Sequence, residues 1–224
     1  MLLDKAISLV APFRCTKCDR IGHLLCYECR ETELDFVPSR CYRCHRATRQ
    51  FAVCSSCRSS VSLRHVWVVA SYKGAAKDLL EQFKFERAGG AAEDLAAPMA
   101  QLLPLLPTET LVCHIPTASS RVRVRGYDQA KLLAKEISKQ TRLQFASLLL
   151  RETNSRQVGA GRKKRVEQAA SAYALRADDL VKNKNILLVD DVTTSGATLE
   201  AAASLLRSAG AASVDAVVFA QAVD

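Results

Sequence analysis

The sequence predicts a parallel α/β domain preceded by a small metal-bound segment, and three observations carry that reading. Eight of the nine cysteines fall in the first 57 residues, as four Cys-x-x-Cys pairs. From His65 onward, short apolar runs alternate with stretches of helical periodicity. One of those runs, Ile186-Leu-Leu-Val189, is continuously apolar and leads straight into two carboxylates and a glycine- and hydroxyl-rich turn.

The elements follow in order. Val66–Tyr72 (VWVVASY) reads as a strand, and Gly74 opens a helix with Leu79, Leu80 and Phe83 on one face. Ala91–Leu106 is an Ala/Leu-rich helix, expected to be interrupted near Pro98. Leu111–Ile115 is a buried strand ended by Pro116, and Cys113 within it reads as a small buried apolar residue. Gln129–Thr141 is an amphipathic helix and Ile186–Val189 a central strand. Thr198–Ser208 is a helix stopped by Gly210, and Ser213–Ala220 is a last strand. The boundary between the two parts is expected at residue 64, giving segments 1–64 and 65–224.

In the first segment the pairs are Cys15/Cys18, Cys26/Cys29, Cys41/Cys44 and Cys54/Cys57. Each knuckle presents two thiolates to one side of a tetrahedral ion, and a second knuckle closes the site. Four knuckles therefore predict two structural zinc ions. Seven residues separate Cys18 from Cys26, and nine separate Cys44 from Cys54. Neighbouring knuckles can pair in series, as two ribbons, or interleave as a cross-brace. Series pairing is expected because its shorter loops close at lower entropic cost. Disulfides are the rival reading. The residues from Met1 to Pro12 lack a secretory pattern, so a cytoplasmic location is expected and zinc is favoured over disulfides. His23, His45 and His65 are not needed as ligands. So short a segment buries little apolar surface, and metal binding supplies folding energy.

Lys and Arg total 32 against 23 Asp and Glu, a formal charge of +9. That excess favours polyanions, either phosphorylated small molecules or nucleic acid. Two Zn(Cys)4 centres return about −4 of charge, so arginines of the first segment partly offset thiolates. Aromatic content of 6% argues against an extended base-stacking platform. No run is long and apolar enough for membrane insertion.

The stretch Ile186–Thr198 carries the chemistry. Asp190 and Asp191 at a strand's carboxyl end are suited to accept hydrogen bonds from sugar hydroxyls. Thr193, Thr194, Ser195, Gly196, Ala197 and Thr198 form a turn into a helix, where backbone N–H groups make an anion site. Together they describe a ribose bearing a phosphate. A second basic stretch follows the LVCHIP strand: Arg121, Arg123 and Arg125 stand at alternate positions of what reads as a loop, and guanidinium forks suit a pyrophosphate. Asp128 is placed to cap the next helix. A third stretch, 151–165, holds Arg156, Arg162, Lys163, Lys164 and Arg165 with two glycines. It reads as a hood over a ligand or as a nucleic-acid track.

Residues 186–198 resemble the signature of type I phosphoribosyltransferases, and the chain as a whole resembles the ComF/GntX family. The likeness rests on the Cys-x-x-Cys knuckles, YKGAAKDLLEQFKFERAG (72–89), RGYDQA (125–130), and Arg151, Thr153 and Gln157 with Arg165 downstream. Departures fall at Tyr127, Asp128, Ala160 and Gln168, which touch the hood's contacts and leave the phosphate loop intact. The resemblance implies a type I phosphoribosyltransferase fold with an N-terminal double zinc ribbon. It implies that phosphoribosyl pyrophosphate (PRPP) binds with Mg²⁺, with Asp190, Asp191 and Arg125 as candidate catalytic residues. It further implies work in DNA uptake during natural transformation, with single-stranded DNA and a competence helicase or uptake-channel protein as partners. Two functions stay open: pentosyl transfer from PRPP with pyrophosphate release, or non-catalytic DNA binding or adaptor work in which PRPP is only a regulator.

Overall fold

The computed structural model describes residues 13–85, 88–152, 173–176 and 180–222. Two short helices lie in the cysteine-rich segment: α1 (Tyr27–Glu33) and α2 (Ser55–Arg58). Strand β1 (Val66–Ser71) leads to helices α3 (Gly74–Phe85) and α4 (Ala88–Leu102). Then come β2 (Leu111–His114), α5 (Ser119–Arg125), α6 (Gln129–Thr141) and β3 (Gln144–Phe145). Strands β4 (Leu149–Arg151) and β5 (Tyr173–Leu175) form a small antiparallel pair. The chain returns through β6 (Asn185–Thr193), α7 (Ala197–Ser208) and β7 (Ser213–Gln221).

The main sheet has five parallel strands in the order β1-β7-β6-β2-β3, flanked by helices. Its centre is apolar on both faces, as a parallel sheet requires. Ile186 to Val189 and Val214 to Ala220 are all buried, Asp215 among them. Asp215 is held there by Arg64 at 2.6 Å and His65 at 2.9 Å. Helices α4 and α6 pack against each other, sealing Leu95, Met99, Leu133 and Ile137. Each such side chain contributes roughly 1.5–3 kcal/mol of burial.

Helix α4 and strand β6 differ from the sequence expectation. Helix α4 runs unbroken through Pro98. The proline costs one backbone hydrogen bond, and the burial of Ala92, Leu95, Ala96 and Met99 on the same helix outweighs it. Strand β6 does not stop at Val189 but continues through both carboxylates to Thr193, in register with β7 as far as Thr193↔Gln221. Its other neighbour, β2, ends at His114↔Val189. The acid pair therefore stands where β6 has lost a strand on one side and kept one on the other. Such a step in an open sheet leaves room for a ligand.

The cysteine-rich segment is stitched to the sheet. Phe36 and Ala70 form an antiparallel bridge, and the N–H of Val37 donates to the carbonyl of Val69 at 3.0 Å. This covers the outer edge of β1, which would otherwise expose unpaired backbone groups. Among the described residues no helix is long and apolar enough to cross a membrane.

Candidate functional site

The four knuckles pair in series. Cys15, Cys18, Cys26 and Cys29 form one cluster, and Cys41, Cys44, Cys54 and Cys57 the other, with all four ligand atoms of each within 4.8 Å of one another. None of the nine cysteines is in a disulfide. A tetrahedral ion with Zn–S bonds of about 2.3 Å sets its sulfurs roughly 3.8 Å apart. The Cys18–Cys26 and Cys44–Cys54 sulfur pairs lie 3.6 and 3.5 Å apart, so both donor sets fit zinc. Burial opposes ionisation of Cys15 and Cys41. Backbone N–H groups, those of Cys26 and Cys54 foremost, outweigh it and draw Cys15 down to about 6 and Cys41 to about 7. No histidine enters either cluster. His23 lies 2.8 Å from Asp94 instead, and His65 belongs to Asp215.

At the end of β6, Asp190 Oδ1 accepts from the N–H of Asp191 at 2.9 Å, and Asp191 Oδ1 accepts from that of Val192 at 2.8 Å. Burial, followed by the charge of Asp191, pushes the Asp190 carboxyl well above the ordinary carboxylate range. A cation partly relieves this crowding. Lys84, on α3, places Nζ 3.8 Å from Asp191 Oδ2 and 5.7 Å from the centre of the Tyr72 ring. Lys84 and Tyr72 both lie in the 72–89 stretch that carries the family resemblance, but nothing local assigned Lys84 to the acid pair; that contact spans more than a hundred residues of chain.

Past Thr193 the chain turns through Thr194, Ser195 and Gly196 into α7. Gly196 is the N-cap of α7, with φ of 75°, and no side chain caps the helix. Thr194, Ser195, Ala197 and Thr198 are exposed, whereas Thr193 and Gly196 are buried. An uncapped helix start beside exposed hydroxyls is a ready anion site.

The arginine stretch is not a loop. Ser119–Arg125 is a helix closed by Gly126, whose φ is 80° and whose N–H donates to the Val122 carbonyl. On a helix, Arg121 and Arg125 are neighbours one turn apart, and Arg123 lies on the other side. Arg125 Nη1 donates to Gln129 Oε1 at 2.5 Å. Asp128 does cap α6, accepting from the N–H of Lys131, and it also accepts from both the N–H and Oγ1 of Thr117 at 3.0 Å. Nearby His114 is buried and its imidazole is held neutral, down to about 4, by that burial. Arg151 lies over the Tyr173 ring at 5.6 Å, and burial pushes that phenol up to about 12. Arg156, Arg162, Lys163, Lys164 and Arg165 lie outside the described residues. Cys113 is buried as expected.

Residues 124–223 match the family model of the phosphoribosyl transferase domain. Competence protein ComFC of Bacillus subtilis is 29% identical, across 96% of this chain and 91% of that protein. DNA utilization protein YhgH of Escherichia coli is 26% identical, across 85% of this chain and 93% of its own length. Competence protein F of Haemophilus influenzae is also 26% identical, across 88% and 92%. A solved structure, that of the allosteric regulatory enzyme of purine biosynthesis, overlaps with a TM-score of 0.42 at 14% identity, covering 61% of this chain and 29% of that one. A parallel sheet ending in an acid pair, two four-cysteine clusters and relatives matched over nearly their whole length thus agree: residues 124–223 carry the likeness to the phosphoribosyl transferase domain, and the chain as a whole is similar to the competence and DNA utilization proteins ComFC, YhgH and competence protein F.

Proposed function

We propose that the chain binds PRPP with Mg²⁺ at the carboxyl end of β6 and serves DNA uptake and processing during natural transformation. The observation that carries the reading is the meeting, across one tight turn, of the Asp190–Asp191 pair with the uncapped start of α7. Asp190 and Asp191 accept from the ribose 2′- and 3′-hydroxyls. The N–H groups and hydroxyls of 193–198 hold the 5′-phosphate. Arg121 and Arg125, one turn apart on α5, face the pyrophosphate, and Arg123 adds charge without sharing their face. Hard carboxylate oxygens suit Mg²⁺, which when bound neutralises pyrophosphate charge and helps it leave.

Pentosyl transfer would proceed by attack of a nitrogen nucleophile at C1 as the bond from C1 to the pyrophosphate oxygen breaks and pyrophosphate leaves. The protein's share is to fix the sugar, stabilise the departing anion and exclude water. The relatives' names, competence protein and DNA utilization protein, support placing this site in DNA handling. Single-stranded DNA is the proposed macromolecular partner, met by the basic stretch 156–165, and a competence helicase or uptake-channel protein is its proposed neighbour. The cytoplasm is the proposed location. The two zinc ions are structural.

Crystals soaked in PRPP and Mg²⁺ test the site: the sugar is expected against residues 190–191 and its phosphate at 194–198, and an empty cleft there contradicts the reading. Transfer is tested by a screen for pyrophosphate release over bases and single-stranded DNA. Replacing Arg162, Lys163, Lys164 and Arg165 with Gln is expected to weaken single-strand binding and flatten its salt dependence; an unchanged slope excludes that stretch as the DNA track.

A further inference from the structure

Tyr42 sits inside the second metal knuckle, directly after Cys41, yet its ring lies on the phosphate-type turn. It is only 2% exposed. A Cβ added to Gly196 would meet Tyr42 Cε2 at 2.4 Å and Cδ2 at 2.7 Å. The glycine is therefore required twice, once for its positive φ and once for the ring pressed against it. The Tyr42 hydroxyl donates to Glu200 Oε2 at 3.1 Å, in the first turn of α7. Glu200 Oε1 in turn accepts from the N–H of Ser62 at 2.5 Å, just beyond the knuckle that ends at Cys57.

The other side of the turn is held as well. Arg40 Nη2 donates to Gln221 Oε1 at 3.0 Å, and Gln221 Nε2 reaches the carbonyl of Tyr42 at 3.5 Å. Gln221 is paired with Thr193, where β6 gives way to the turn. The second four-cysteine module thus grips the strand before the turn and the helix after it. The first module docks elsewhere: Lys17 reaches Asp78 of α3 at 3.3 Å, and Asp94 of α4 accepts from the N–H of Leu24 at 2.6 Å.

We infer that the Cys41/Cys44/Cys54/Cys57 centre is a working part of the sugar-phosphate site, and that Tyr42 is its positioning residue. This inference rests on the PRPP reading of the turn. Metal held by these four cysteines fixes the knuckle; the knuckle fixes Tyr42; the ring sets the turn whose N–H groups receive the phosphate. Binding at one place must then strengthen binding at the other by the same factor. The Cys15/Cys18/Cys26/Cys29 centre carries no such coupling.

The test uses the full-length, zinc-loaded protein. Zinc release to the chromogenic chelator 4-(2-pyridylazo)resorcinol is followed with and without saturating PRPP and Mg²⁺. One of two zinc equivalents is expected to leave about tenfold more slowly with PRPP present, and the other at an unchanged rate. In calorimetry Tyr42→Ala is expected to bind PRPP about tenfold more weakly while retaining two zinc ions, and Tyr42→Phe, which keeps the ring, to recover most of that loss. Wild-type PRPP binding with identical zinc release in both conditions, and unchanged affinity in Tyr42→Ala, would overturn the coupling and leave the PRPP site standing. Absence of any PRPP binding by the wild type would overturn the site and the coupling together.

Discussion

The two four-cysteine centres are nearly the same object in sequence and differ in what they lean on. Each is two Cys-x-x-Cys knuckles, with seven or nine residues between them, and each gathers four sulfurs in the same small volume. The first meets the sheet domain away from the turn, through one open ion pair and one sheltered acid. Lys17 and Asp78 are 31% and 50% exposed, and a pair so open to solvent is worth little. Asp94, 10% exposed, accepts from the Leu24 N–H and faces His23, which is 58% exposed. The second meets it through a buried tyrosine and two side-chain hydrogen-bond chains that end on either side of the turn at 194–196. What sets the second centre apart is the residues within and beside its knuckles, Tyr42 inside and Arg40 and Ser62 on either flank, and not the ligands themselves.

The sharpest way to break that comparison is to remove one ligand from each centre. Cys44→Ser and Cys18→Ser should each lose one zinc ion per chain by metal analysis. Cys44→Ser should also lower PRPP affinity about 100-fold, and Cys18→Ser should leave it within about threefold. Equal losses would make the centres equivalent. A smaller effect comes from pH. The Asp190 carboxyl is raised in the folded protein by burial and by Asp191. A raised carboxyl holds its proton, so the folded chain is favoured at low pH and loses that contribution as pH rises through the folded value. A ligand that needs the carboxylate must release this proton. PRPP affinity should therefore fall about tenfold per unit as pH drops below the Asp190 value, and calorimetry in buffers of different ionisation heat should detect proton release. Lys84→Met should weaken PRPP about fivefold by leaving the acid pair without the cation 3.8 Å away, with zinc content unchanged. Smallest is Asp94→Asn at the first module's dock. It should cost about 1 kcal/mol in denaturant unfolding and leave PRPP affinity unchanged.

Local patterns were legible where the chain's own period decides the outcome. Gln129–Thr141 is a helix with the bounds its amphipathic pattern predicts, and the knuckles pair in series as loop length predicts. Patterns failed where a distant partner decides. Two adjacent aspartates read as the end of a strand, yet pairing with Val218 and its neighbours on β7 carries β6 through them. Alternating arginines read as a loop, but Gly126 closes them into a helix, which separates Arg123 from Arg121 and Arg125. The site contacts of Lys84, which lies in the quoted 72–89 stretch, and of Tyr42 were missed for the same reason. Their partners, Asp191 and Glu200, lie more than a hundred residues away, and no periodicity encodes that contact.

The most direct measurement is calorimetry with PRPP and Mg²⁺ on the wild type and on Asp190→Ala/Asp191→Ala. The wild type is expected to bind one PRPP per chain. The double variant should bind none while keeping the circular-dichroism spectrum and two zinc ions of the parent. Equal affinity in the two proteins would contradict a sugar-phosphate site at the end of β6.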